Sequence, residues 1–121
     1  MGVFMPDESI KRQLRRCREA TAKILDEESF HVSETAGKAA AVYDFTCFDR
    51  GCWKLVKVCL ESISGQELHR LLGFSGTPCD NGLVLQIFFW SKRGRHPFYR
   101  PKLAYNRPDQ EIPPELKKLV K

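Results

Sequence analysis

No stretch of this sequence approaches the roughly 20 consecutive apolar residues that a bilayer-spanning helix requires, so no membrane span and no membrane partner are expected. The opening residues, Met1-Gly2-Val3-Phe4-Met5-Pro6-Asp7, lack the basic segment and apolar stretch of a secretory leader. Gly2 is not followed by the Ser or Thr that myristoylation favours at position 6, where Pro6 stands instead. The chain therefore reads as intracellular. It also lacks any Cys-x-x-Cys or closely spaced His pair, the arrangements that let short loops close a tetrahedral zinc site. Five cysteines (Cys17, Cys47, Cys52, Cys59 and Cys79) and three histidines (His31, His69 and His96) are present, but at irregular spacing. No zinc is expected, and an odd cysteine count without a leader argues against a disulfide framework. Buried free thiols are the expected state. Internal repeats and low-complexity tracts are missing as well.

What is present is ordinary globular material: 42% hydrophobic and 29% charged residues over 121 positions, enough for one domain, 1–121, with a real core. Residues 1–5 are expected to be disordered. The net charge is +5, with an isoelectric point near 9.1, which suits nucleic acid, an anionic surface or an acidic protein. Pro6-Asp7-Glu8-Ser9 is a good helix start, and Ile10, Leu14, Cys17, Thr21, Ile24 and Leu25 make one apolar stripe ending near Asp26-Glu27. Lys11, Arg12, Arg15, Arg16 and Arg18 lie mostly off that stripe. Phe30–Ser33 and Ala41–Phe48 read as strands, Asp49-Arg50-Gly51 as a hairpin turn, and Trp53–Leu60 as a third strand. Ser64 and Glu67 form a capping box that opens a short helix stopped by Gly73. Leu83–Trp90 is almost continuously apolar and fits a central strand covered on both faces. Phe98-Tyr99 starts a short edge strand, and residues 101–121 read as an extended, Pro-rich tail with a short terminal helix from Pro114 to Val120. Together these predict an α/β fold with a mixed central β-sheet flanked by helices.

That order, with Asp44 late in the second strand and charge in the third, resembles the PD-(D/E)XK nuclease fold, the restriction-endonuclease-like architecture. Within it, the pattern is similar to the archaeal-type Holliday-junction resolvases. Val32-Ser33-Glu34-Thr35-Ala36-Gly37-Lys38 looks like the loop that precedes the strand acid, and Asp44 looks like that acid. Trp53-Lys54-Leu55-Val56-Lys57-Val58-Cys59 occupies the place of the strand that carries a Glu-x-Lys triplet. The resemblance covers roughly residues 7 to 91 and implies a Mg²⁺-dependent endonuclease chemistry, in which two carboxylates hold a metal that activates water. It also implies a homodimer, matched to the two-fold symmetry of a junction. Laid from Asp44, however, the family's Glu position falls on Lys57 and its Lys position on Cys59. The site is therefore degenerate or rearranged. In a rearranged site Glu61 is the displaced carboxylate, holding Mg²⁺ with Asp44 while Lys57 serves as the amine, and Glu8 or Glu19 stands in for a helix glutamate. The plainer reading makes Asp44 a structural acid paired with Lys57 across the hairpin.

A second signal follows the apolar strand. Lys92, Arg93, Arg95, Arg100 and Lys102 run without an acid between them, interleaved with His96, Phe98 and Tyr99. Cations neutralise phosphates and aromatic rings stack on exposed bases, so this segment, with Lys38 from the loop, is the candidate nucleic-acid surface, DNA foremost. A cytoplasmic or nucleoid-associated location would follow. Three functions remain open: a nucleic-acid-binding protein with a degenerate nuclease site, a structure-selective endonuclease, and an assembly domain that binds an acidic protein partner.

Overall fold

A computed structural model describes residues 6–29, 31–35, 42–73, 84–104 and 111–121. In chain order the elements are α1 (Pro6–Glu28), β1 (His31–Glu34), β2 (Phe45–Asp49), β3 (Cys52–Leu60), α2 (Gly65–Gly73), β4 (Val84–Trp90), β5 (Lys102–Ala104) and α3 (Pro114–Leu119). The strands form one sheet in the order β1-β2-β3-β4-β5. β1, β2 and β3 are antiparallel neighbours, β3 and β4 run parallel, and β5 returns antiparallel to β4. The parallel pair needs a crossover, and α2 lies within it. The fold is thus α/β, with a five-stranded mixed sheet and three helices, as the sequence pattern predicts. Among the described residues no helix is long and apolar enough to cross a membrane.

Strand alternation divides the core in two. Phe45, Cys47, Val56, Val58, Phe88 and Trp90 point to the face covered by α1, where Cys17 and Leu25 meet them. Leu55, Cys59, Leu85, Ile87, Phe89 and Leu103 point to the other face, against Leu68 and Leu71 of α2 and Leu116 of α3. β4 is buried from Leu85 to Trp90 on both faces, which is why its sequence shows no alternation. A polar tie crosses the α1 layer: Trp90 Nε1–H donates to Thr21 Oγ1 at 2.9 Å, while the Thr21 hydroxyl donates to Cys17 O at 2.7 Å.

Local signals set several boundaries. The Glu67 N–H donates to Ser64 Oγ at 3.0 Å, so Ser64 caps α2 as its spacing predicts. The β2–β3 hairpin closes at the Asp49–Cys52 pair, and both loop residues are left-handed, Arg50 at φ 49° and Gly51 at φ 83°. That geometry follows the right-handed strand twist, and Gly51 adopts it without strain whereas Arg50 does not.

The chain departs from expectation after Pro101. Part of the supposed extended tail is β5, which pairs Lys102 with Gln86 and Leu103 with Leu85. α3 then docks on the sheet through Leu116, and Val120 forms a parallel bridge to Ile63. The Ile63 N–H donates to Leu119 O at 3.0 Å and the Lys121 N–H to Ile63 O at 2.9 Å. Residues 1–5, expected to be disordered, lie outside the described residues.

Candidate functional site

Asp44 stands just before β2, where the strand pair β2–β3 begins. Phe45 pairs with Val56, the last pair of the β2–β3 register at this end. The Asp44 N–H donates to Val56 O, the residue that also pairs with Phe45, at 2.7 Å, and its carbonyl accepts from the Thr35 N–H at 3.0 Å. Among the described residues β2 does not extend far enough to meet the Val58 N–H. The Asp44 side chain fills that gap: Oδ2 accepts from Val58 N–H at 2.7 Å. Its other oxygen, Oδ1, accepts from Arg18 Nε–H of α1 at 2.8 Å. The carboxylate is 6% exposed, against 43% for the arginine side chain. Burial of a carboxylate is costly unless it is paired and hydrogen-bonded, and here both oxygens are engaged.

Lys57 and Cys59 lie beside this acid. Burial pushes the Cys59 thiol from an ordinary 9.0 up to about 12; the Lys57 charge opposes that rise, while Glu67 and Asp44 add to it. Cys59 is therefore a neutral thiol at physiological pH, supplying neither the positive charge of a catalytic lysine nor a thiolate. Glu67 reaches this neighbourhood from the first turn of α2, where its capping position alone gave no hint of a second role.

Glu61 does not join them. β3 ends at Leu60, and Glu61 turns to φ 66° with its N–H donating to Trp90 O at 2.7 Å. It stands three residues past Val58, whose N–H the Asp44 carboxylate binds, roughly 10 Å along the strand direction at about 3.3 Å per residue. Two carboxylates that share a divalent ion must each bring an oxygen to within about 2.0–2.6 Å of it. Glu19 does border the same open cavity as Asp44, along with Arg15, Arg18, Lys23 and Glu34. Nothing is described of the Glu8 side chain. Among the described residues no group of three or more His, Cys, Asp or Glu comes together to hold a metal. The acid expected to hold Mg²⁺ is instead engaged at both oxygens, by the Arg18 guanidinium and by the Val58 N–H.

The basic segment after β4 is a clamped loop. The Phe98 N–H donates to Phe89 O at 2.8 Å and the Phe89 N–H to Tyr99 O at 2.9 Å, closing its base. Within it, the Gly94 N–H donates to Ser91 O at 3.2 Å. A Cβ on Gly94 would meet Ser91 Oγ, which would have to rotate away, and would lie 3.3 Å from His96 O. Lys92, Arg93 and Arg95 are exposed on this loop. Facing them across an open groove of about 450 Å³ are Gln13, Arg16, Cys17 and Ala20 of α1, with Trp90 at its floor. No carboxylate appears among the described residues that line it. Arg16, which sequence reasoning left among the helix charges, thus joins the loop cations.

The other expected contacts disperse. Arg100 Nη2 donates to Glu28 Oε2 at 2.8 Å, and its guanidinium lies 4.5 Å from the centroid of the Phe88 ring. This residue ties the β4–β5 connection to the end of α1. Tyr99 stacks on Phe89, with centroids 6.0 Å apart, and packs against the α2–α3 side of the core. Lys102 is exposed at the opposite end of the sheet, beside a small cavity lined by Arg50, Trp53 and Lys54. Val84 borders that cavity and Trp90 the basic groove, so the two lie about 20 Å apart along β4. Lys38 lies outside the described residues. No family model matches this chain, and neither does any curated protein or solved structure.

Proposed function

We propose that this chain is a nucleic-acid-binding domain on a nuclease-like sheet, with an internal ion pair in place of the metal site. The observation that carries the reading is the groove between α1 and the β4–β5 connection. It gathers Arg16, Lys92, Arg93 and Arg95 from two distant segments with no acid among its described lining residues. Closely spaced cations repel one another, and a polyanion whose phosphates sit between them relieves that repulsion while releasing counterions. The restriction-endonuclease-like assignment is supported by the element order, by two antiparallel strand pairs followed by a parallel one, and by an acid just before β2 whose carboxylate lies against β3 at Val58. The binding reading is favoured over the endonuclease because the oxygens of Asp44 are both hydrogen-bonded and Glu61 stands apart.

Fluorescence anisotropy with labelled single-stranded, duplex and four-way-junction DNA, without divalent metal and across a salt series, tests this directly. Binding that weakens steeply with salt, and no cleavage of any substrate with Mg²⁺ or Mn²⁺, are expected. Absence of binding at low salt would refute the reading and turn attention to an acidic protein partner. Metal-dependent cleavage would refute the inert site.

A further inference from the structure

Among the described residues three large apolar side chains are left exposed: Ile10 at 44%, Trp53 at 36% and Phe98 at 52%. Phe98 is the most open of them, and it sits at the base of the basic loop. Its backbone is fixed by the hydrogen bonds to Phe89 described above. One side of its ring leans on Phe89, with centroids 6.2 Å apart and planes inclined at 40°. The neighbouring Tyr99 stacks on the same Phe89 and packs against the α2–α3 side of the core, half-buried where Phe98 is exposed. A ring held from behind and open in front loses little side-chain freedom on binding. Such a ring offers an apolar face three residues along the chain from the exposed Arg95, and single-stranded nucleic acid uses that combination by setting a base on the ring and its phosphates on the charges. In a duplex the base faces are already stacked inside the helix and cannot reach a ring fixed on a sheet edge.

We infer that Phe98 is a base-stacking platform at the base of the loop that carries Arg93 and Arg95, and that the ligand class of this surface is single-stranded nucleic acid. This rests on the proposed nucleic-acid-binding function and narrows it to one class of substrate.

The test is anisotropy with labelled oligo(dT), oligo(rU) and a duplex of equal length, using the whole chain and three variants. Phe98→Leu keeps apolar bulk over Phe89 but removes the aromatic face, Phe98→Trp keeps it, and Arg93→Gln/Arg95→Gln removes charge. Circular dichroism and melting confirm that each variant is folded. Wild type is expected to prefer the single strands. Phe98→Leu should weaken single-strand binding by about 5- to 150-fold, one base's worth of stacking, while duplex binding changes less than about twofold. Phe98→Trp should restore single-strand affinity. The charge variant should weaken all three ligands. The oligo(dT) and oligo(rU) arms show whether DNA, RNA or both are taken. Unchanged single-strand binding by Phe98→Leu, or an equal loss on duplex, would overturn the stacking role while leaving the groove intact. No binding of any oligonucleotide, or indifference to the charge variant, would instead overturn the function on which the inference rests.

Discussion

If Asp44 is a structural acid held by Arg18, removing the arginine must leave a buried carboxylate short of a partner. Arg18→Met keeps the apolar stem along α1 and deletes only the guanidinium. The carboxylate is then 6% exposed in the parent fold with the Val58 N–H as its remaining donor. Breaking a fully buried pair costs about 3–5 kcal/mol, and a single charged hydrogen bond is worth about 1.5–3 kcal/mol. Arg18 is 43% exposed, so water screens the pair and the lower range applies, about 1.5–3 kcal/mol. For a domain of this size that is a fall of roughly 6–12 °C in Tm. Asp44→Asn keeps an acceptor for Val58 and frees Arg18 to solvent, at about 1 kcal/mol. In the double variant the loss of Arg18 matters less, because no charge is stranded, and a coupling of about 1–2 kcal/mol should appear. Urea denaturation of the four proteins measures it, with and without millimolar Mg²⁺. Coupling below about 0.3 kcal/mol would refute the pairing as a structural device. A Mg²⁺-dependent rise in wild-type stability would show that Asp44 serves a metal after all.

Three further outcomes follow from the same geometry. The Cys59 thiol is held near 12 against 9.0 in the unfolded chain, so the unfolded state ionises first as pH rises. Its stabilising effect is full below pH 9 and declines by up to about 1.4 kcal/mol per pH unit toward pH 12, and Cys59→Ala should flatten that part of the stability curve in urea titrations. Arg50→Asn, at a left-handed loop position that asparagine tolerates better, should stabilise the hairpin by about 0.5–1 kcal/mol in thermal melts. Thr21→Val strands the buried Trp90 indole N–H and should cost about 1–3 kcal/mol, whereas Thr21→Ser should cost less.

The sequence discloses what depends on neighbours along the chain and conceals what depends on distant ones. The Ser64 cap and the Arg50-Gly51 turn are local, and both were legible. So was the mixed sheet, because a hairpin followed by a helix and a fully apolar strand leaves few topologies. β5 was missed because its three residues follow Pro101 and owe their pairing to β4, not to any pattern of their own. Among the candidate site residues, Asp44 was expected late in the second strand and opposite Lys57, but it stands in a bend just before β2, and Arg18, 26 residues earlier, takes the ion pair. Glu61 was placed by extrapolating strand alternation one step beyond the point where the strand stops. Arg100 read as one more free cation because its acid, Glu28, lies 72 residues away. The basic loop was visible from its unbroken run of charge, whereas the contribution of Arg16 and the choice of Phe98 over Tyr99 required knowing which face each side chain takes.

The most direct test of the central claim is the salt dependence of single-strand binding in wild type against Arg93→Gln/Arg95→Gln. Each phosphate contact contributes about 0.7 to the slope of log K against log salt on a single strand. If both arginines meet phosphates, the variant's slope should be shallower by about 1.4, with affinity lost at low salt. An unchanged slope would contradict the assignment of this groove as the nucleic-acid interface.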